Sequence, residues 1–86
     1  MKTTFLLEAK EELSESVAYY ESQGTGLGLK FLHQIELAVE LIKQYPHSGS
    51  AMGSSGLQRM LVNKFPFGIL YHIQNNHSYT LKSEKV

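Results

Sequence analysis

Lys64-Phe65-Pro66-Phe67-Gly68-Ile69-Leu70-Tyr71-His72-Ile73-Gln74-Asn75-Asn76-His77-Ser78-Tyr79-Thr80-Leu81-Lys82 is the stretch on which the fold turns. Phe67, Ile69, Tyr71 and Ile73 recur with a period of two, the pattern of a strand with one face on a core. Pro66 cannot donate to a central ladder, so residues 64–66 read as a turn before a strand over residues 67–74. Residues 78–82 read as a second strand, and the two form a hairpin. A two-residue Asn75-Asn76 loop sets Ile73 opposite Ser78 and Tyr71 opposite Thr80. A three-residue Asn75-Asn76-His77 loop sets Ile73 opposite Tyr79 and Tyr71 opposite Leu81. The second register matches apolar with apolar and is the one predicted. His72 then points away from the core.

Upstream, residues 57–63 read as one more strand. Residues 48–56, Ser48-Gly49-Ser50-Ala51-Met52-Gly53-Ser54-Ser55-Gly56, are small and polar and read as a mobile loop. Before it lie two helical patterns. Ala9, Leu13, Val17 and Tyr20 recur at spacings of four, four and three, one face of an α-helix over residues 8–20. Glu8, Glu11, Glu12 and Glu15 cover its outer face, crowded toward the N-terminal end that the helix dipole makes favourable for anions. Gly24-Thr25-Gly26-Leu27-Gly28 ends this helix, with Gly24 as its expected C-terminal cap. A second helix runs over residues 27–45, with Phe31, Ile35, Ala38, Val39 and Ile42 as an apolar stripe that Leu37 and Leu41 widen. So broad a stripe predicts the more buried helix of the two. Pro46 stops it. Residues 3–7, partly β-branched and aromatic, read as an initial strand. The order is strand, αα-hairpin, then a three-stranded antiparallel meander: an α+β fold with the helices packed on one side of the sheet.

The chain has 86 residues, which allows one domain over 1–86. At ~0.05–0.15 kcal/mol per residue its stability is roughly 4–13 kcal/mol. It contains no Cys, so neither a disulfide framework nor a thiolate metal site supports it. A packed core must do so, and a partner chain, a homodimer mate among the candidates, adds to a core this small. The formal net charge of zero argues against a generic cationic nucleic-acid binder. That zero is polarised. Residues 1–45 carry four Lys against seven Glu, a net −3; residues 46–86 carry one Arg and three Lys against Glu84, a net +3. The start of the chain meets a charge too early for a signal-peptide core, and no apolar run is long enough to span a bilayer, so a cytoplasmic protein without membrane contact is expected.

Few residues have the pattern of chemistry. The Gly24-x-Gly26-x-Gly28 run lacks the preceding strand and the spacing of a dinucleotide fingerprint, and reads as a helix–helix turn. His33, His47, His72 and His77 show no metal-ligand spacing, so neither metal nor cofactor is expected. Ser48, Ser54 and Ser55 lack a nucleophile-elbow context. Arg59 is the one Arg in the chain. By period two it shares a face with Leu57 and Leu61. It is either a snorkelling side chain, one paired with a helix Glu, or a fork for phosphate or carboxylate. Lys64, Lys82 and Lys85 add almost unopposed charge in the same half.

Taken in order, Ala9-x-x-x-Leu13, Tyr19-Tyr20-Glu21, Gly26-Leu27-Gly28-x-x-Phe31, Ile35-Glu36, Pro46, Arg59 and Lys64-Phe65-Pro66-Phe67-x-Ile69-x-Tyr71 resemble the ParE/RelE toxin superfamily of bacterial toxin–antitoxin systems. They cover residues 5–73 and look most like the ParE-type branch, the plasmid stabilisation proteins. The resemblance implies a toxin silenced by a small antitoxin that wraps its surface. ParE-like members poison DNA gyrase by binding; RelE-like members enter the ribosome and cut mRNA. Arg59 matches the strand Arg that RelE-like nucleases place near the scissile phosphate. The family continues past the last strand with a His–Arg-rich tail, where this sequence has Ser83-Glu84-Lys85-Val86, so the resemblance favours gyrase binding over nuclease chemistry. Arg59, Lys64, His72 and Lys82 are the residues expected to contact a target or antitoxin.

Overall fold

The protein is described by a computed structural model covering residues 1–54 and 56–86. Strand β1 (Lys2–Phe5) leads into helices α1 (Leu7–Gln23) and α2 (Leu27–Gln44), then strands β2 (Ser50–Met52), β3 (Leu57–Leu61), β4 (Phe67–Gln74) and β5 (His77–Lys85). The strands form one sheet in the order β1-β5-β4-β3-β2. β1 runs parallel to β5, and the other neighbours are antiparallel. The fold is α+β, with both helices on one side of the sheet.

The core follows the two periodicities. Phe67, Ile69 and Tyr71 of β4 are wholly buried and meet Phe31, Ile35, Ala38 and Ile42 of α2. Ala9 and Tyr20 are the buried residues of α1, while Leu13 and Val17 are partly buried against the cluster. Edge-to-face aromatic contacts join the layers: Phe31 lies 4.8 Å from Phe67 and 5.2 Å from Phe65, and Tyr20 lies 4.9 Å from Phe65. α2 is the more buried helix, as its stripe predicts. Leu37 and Leu41 do not belong to that stripe; both are exposed, because they lie on a neighbouring ridge of α2 that no other element covers.

The turn between the helices assigns a role to each glycine. Gly24 caps α1 with extended backbone, so the left-handed residue is not Gly24 but Gly26, at φ 82°. Gly28 allows close approach: a Cβ there would stand 3.0 Å from the Val17 carbonyl oxygen. α2 has no side-chain cap of its own. Glu21 of α1 reaches across instead, its carboxylate accepting from Gly28 N–H at 2.9 Å and Gly26 N–H at 3.1 Å. These bonds hold the Glu21 carboxyl below its ordinary value against a small opposing effect of burial. The helix end that a phosphate would use is filled by the protein's own anion.

Two expectations for the sheet are corrected. The 48–56 segment contains a fifth strand: Ser50, Ala51 and Met52 pair with Arg59, Gln58 and Leu57. Edge pairing uses backbone groups alone, so a small polar segment can form it without an apolar pattern. Ser55 of the expected loop lies outside the described residues. The β4–β5 register is the one not expected. Gln74 pairs with His77, Ile73 with Ser78 and Tyr71 with Thr80, around a two-residue Asn75-Asn76 loop. Both Asn residues are left-handed, at φ 51° and 60°, as a type I′ turn requires to match strand twist. The core face of β5 consequently carries Ser78, Thr80 and Ser83, all buried. α1 packs directly onto β5, and small side chains there let it approach. A bulge at Leu70/Tyr71 leaves Leu81 as an extra residue and returns Ser83 to the inner face opposite Ile69. β5 therefore runs beyond residues 78–82, and β3 stops short of residue 63.

Candidate functional site

The face of the sheet away from the helices collects the chemistry-bearing side chains. On β3, Arg59 pairs with Leu70 of β4 on one side and Ser50 of β2 on the other. Its aliphatic stem runs over Gly68: a Cβ at that glycine would stand 3.2 Å from Arg59 Cδ and 3.3 Å from Cγ. Gly68 thus makes room for the Arg59 stem. Arg59 Nε is shut from solvent and has no partner, and Arg59 takes part in none of the ion pairs among the described residues. The helix Glu pairing considered for Arg59 is not formed, because the acidic helices lie across the sheet. A buried donor without an acceptor costs ~1–3 kcal/mol, and an incoming anion would satisfy it.

His72 lies on the same face, where period two places it. Its ring stacks on Tyr79 at 5.5 Å, and Tyr79 stacks on His77 at 4.3 Å. His77 Nε2 and Thr4 Oγ1 are 2.6 Å apart and share a hydrogen bond. Three rings thus run from β4 across β5 toward β1. Tyr79 reaches this face only through the two-residue turn, so the register decides its membership of the site.

Lys82 and Lys64 lie elsewhere. Lys82 Nζ donates to Glu12 Oε2 at 3.0 Å and lies 3.8 Å from Glu8, while Ser83 N–H donates to Glu12 Oε1 at 3.1 Å. Burial pushes the Glu12 carboxyl up, but Ser83 and Lys82 together outweigh it and hold the carboxyl below its ordinary value. Lys82 in turn is held above its ordinary value by its hydrogen bond to Glu12 and by that charge. Lys82 therefore fastens β5 to α1. Lys85 is likewise engaged, its Nζ 3.4 Å from the centre of the Tyr19 ring. Lys64, at φ 71° in the β3–β4 turn, lines a cleft with Leu29, Lys30 and His33 of α2. The +3 of the second half is thus divided: two lysines bind the helical hairpin, and Arg59 and Lys64, which form no ion pair among the described residues, lie in different places.

Sequence reasoning missed Glu12 and Tyr71 as connectors. The Tyr71 hydroxyl lies 2.9 Å from the Pro46 carbonyl oxygen and 2.9 Å from Gln58 Oε1, and accepts from Gly49 N–H at 3.2 Å. It also missed the exposed apolar residues of α2, although a stripe too broad for one buried face was their signal. No group of His and Glu side chains among the described residues could hold a metal ion, and no helix among them is long and apolar enough to cross a membrane.

No family model matches the chain, and no curated protein matches it in sequence. Among solved structures, a chain of the chromosomal ParDE TA system from P. aeruginosa superposes with a TM-score of 0.85 at 18% identity. The superposition covers 100% of this chain and 96% of that one. At such identity the likeness is one of fold: the chain has the ParE-like α+β fold, over its whole length.

Proposed function

We propose that this chain is the toxin of a type II toxin–antitoxin module of the ParE type, a plasmid stabilisation protein that inhibits DNA gyrase by binding. The observation that carries the reading is the full-length fold likeness to a chain of a ParDE TA system. The ParE-type motifs at Tyr19–Glu21, Gly26–Phe31 and Phe65–Tyr71 support it independently. In this reading residues 1–86 act as one cytoplasmic domain, and a small antitoxin is its partner. Arg59 supports a docking role for the outer sheet face: its stem lies over Gly68 and it forms no ion pair among the described residues, so a carboxylate of a partner fits it. His72 contributes a stacking and hydrogen-bonding surface beside it.

The test is induction of the chain in a bacterial host without antitoxin, with supercoiling measured in vitro on purified gyrase. Growth arrest and a supercoiling block are expected, both weakened by Arg59→Glu. Unimpaired supercoiling at saturating protein sinks the gyrase reading.

The second reading is a ribosome-dependent mRNA endonuclease. It draws on Arg59, His72 and His77 sharing one sheet face, a cation and two acid–base groups. Primer extension then shows cuts in translated mRNA that vanish in Arg59→Ala. Unaffected growth with tight antitoxin binding identifies instead a degenerate toxin that has kept only its partner.

A further inference from the structure

We propose that His47, Gln58 and Tyr71 form a proton-operated latch that tightens the sheet edge at β2 as His47 gains a proton. The three side chains make one hydrogen-bonded chain from solvent into the core. Gln58 Nε2 and Nδ1 of the exposed His47 are 3.0 Å apart. The other end of the Gln58 carboxamide sets Oε1 2.9 Å from the Tyr71 hydroxyl. That hydroxyl also lies 2.9 Å from the Pro46 carbonyl oxygen and accepts from Gly49 N–H at 3.2 Å. The donor count of this arrangement is incomplete. A phenol has one proton to donate and can accept twice. Here it accepts once and faces two oxygens, so one of them goes without a full hydrogen bond.

Half a turn of the Gln58 carboxamide completes the count. Nε2 then donates to the Tyr71 oxygen, and the phenol proton is left for Pro46 alone. Oε1 comes to face His47, and that end now needs a donor. A protonated His47 supplies one, because both of its ring nitrogens carry N–H. With the carboxamide unturned, a protonated Nδ1 would meet the Nε2 amide, donor against donor. Protonation therefore selects the turned arrangement, whose His47 bond is charge-assisted. The effect falls on β2, a three-residue strand with β3 as its single neighbour in the sheet, approached by the segment that Tyr71 holds at Pro46 and Gly49. Few other charges bear on His47. β2 carries no titratable side chain. On β3, Arg59 takes the outer face, opposite to Gln58. On β4 the facing group is the Tyr71 phenol, which burial holds above its ordinary value and so neutral. At the end of α2, Lys43 is bridged to Glu40, and Tyr45 lies on the segment itself. No carboxylate forms an ion pair with His47 among the described residues. The inference rests on these hydrogen bonds alone and does not depend on the chain being a toxin.

The test uses the full isotope-labelled chain between about pH 5 and pH 8, either side of the ordinary histidine range. Nuclear magnetic resonance reads which His47 ring nitrogen carries the proton and follows the Gln58 carboxamide. Hydrogen exchange, corrected for its intrinsic pH dependence, follows residues 49–52. At the upper pH the His47 proton is expected on Nε2, with Nδ1 as acceptor. On acidification the Gln58 carboxamide signals should move together with the His47 ring signals. Protection at residues 49–52 should rise at least about five-fold relative to β4, the factor equivalent to one hydrogen bond of about 1 kcal/mol. His47→Phe keeps a ring at an exposed position, so it should retain the wild-type melting curve at the upper pH and abolish the acid gain. Tyr71→Phe, which keeps the buried ring, should abolish the gain as well. A neutral His47 protonated at Nδ1, Gln58 signals that ignore the His47 titration, or protection that stays flat or falls in acid would each overturn the inference. A gain that survives in His47→Phe belongs to another histidine and overturns it too.

Discussion

Replacing Tyr71 by Phe removes one oxygen and leaves the ring, so the substitution measures a polar junction without opening a cavity. The ring is wholly buried between the helices and the sheet. Its hydroxyl ties three segments that are distant in sequence: Pro46 just after α2, Gly49 on the approach to β2, and Gln58 on β3. Burial raises the phenol above its ordinary value, partly offset by the Gly49 N–H, so it stays a neutral donor. In Tyr71→Phe the Gly49 N–H loses its acceptor, and the Pro46 and Gln58 oxygens lose a shared donor. Groups left unpaired in a part-buried site cost ~1–3 kcal/mol, and a loss of about 2 kcal/mol is expected. At roughly 4–8 °C per kcal/mol for a domain this size, the melting temperature falls by about 8–16 °C. Calorimetry gives that shift, and amide exchange at residues 49–52 should accelerate more than exchange in β4, because β2 is held in place through this hydroxyl. A fall under about 2 °C with unchanged exchange would refute the reasoning, since it would mean water replaces the hydroxyl at no cost.

Four further outcomes follow from the same geometry. Glu12→Gln removes a carboxylate whose folded pKa lies below its ordinary 4.5. The stability it contributes is present above that ordinary value and lost as pH falls through the lower folded value, so acid melts should show a flatter low-pH limb in the variant. Gly26→Ala meets no atom but must hold φ 82°, and should cost about 1 kcal/mol, whereas Gly24→Ala, at extended φ 179°, should cost clearly less in chemical denaturation. Asn76→Gly should raise the melting temperature by a few degrees, because the second I′ position at φ 60° favours glycine. Gly49→Ala should destabilise more than either helix-turn glycine variant: its Cβ would stand 2.6 Å from the Tyr71 hydroxyl and 3.0 Å from the Arg59 carbonyl oxygen.

What could be read in the sequence was whatever rests on period or on a forbidden conformation. The alternation from Phe67 to Ile73 identified β4 and its buried face, and Pro46 and Pro66 marked a helix end and a turn. β2 was not legible, because an edge strand pairs through backbone groups and Ser50, Ala51 and Met52 have no side-chain pattern to announce it. The hairpin register departs from the apolar match for a related reason. Matching apolar residues across the strands assumes that the partner strand buries apolar residues, whereas β5 buries Ser78 and Thr80 beneath α1. Two left-handed Asn residues decided the turn instead.

The candidate site divides along the same line. Period two placed Arg59 and His72 on definite faces of their strands. Which face the helices leave open, that Gly68 makes room for the Arg59 stem, and that Lys82 is taken up by Glu12 and Glu8 were all set by long-range packing. The net charges of −3 and +3 were present in the composition of the two halves, but their pairing was not. Local sequence by itself determined the helices, the central strand and the α+β class, since these follow from residue spacing and from what Pro and Gly permit. Only the tertiary structure decided the edge strand, the register, which cations the helices take up and the exposed ridge of α2, because each depends on which surfaces meet across tens of residues of chain.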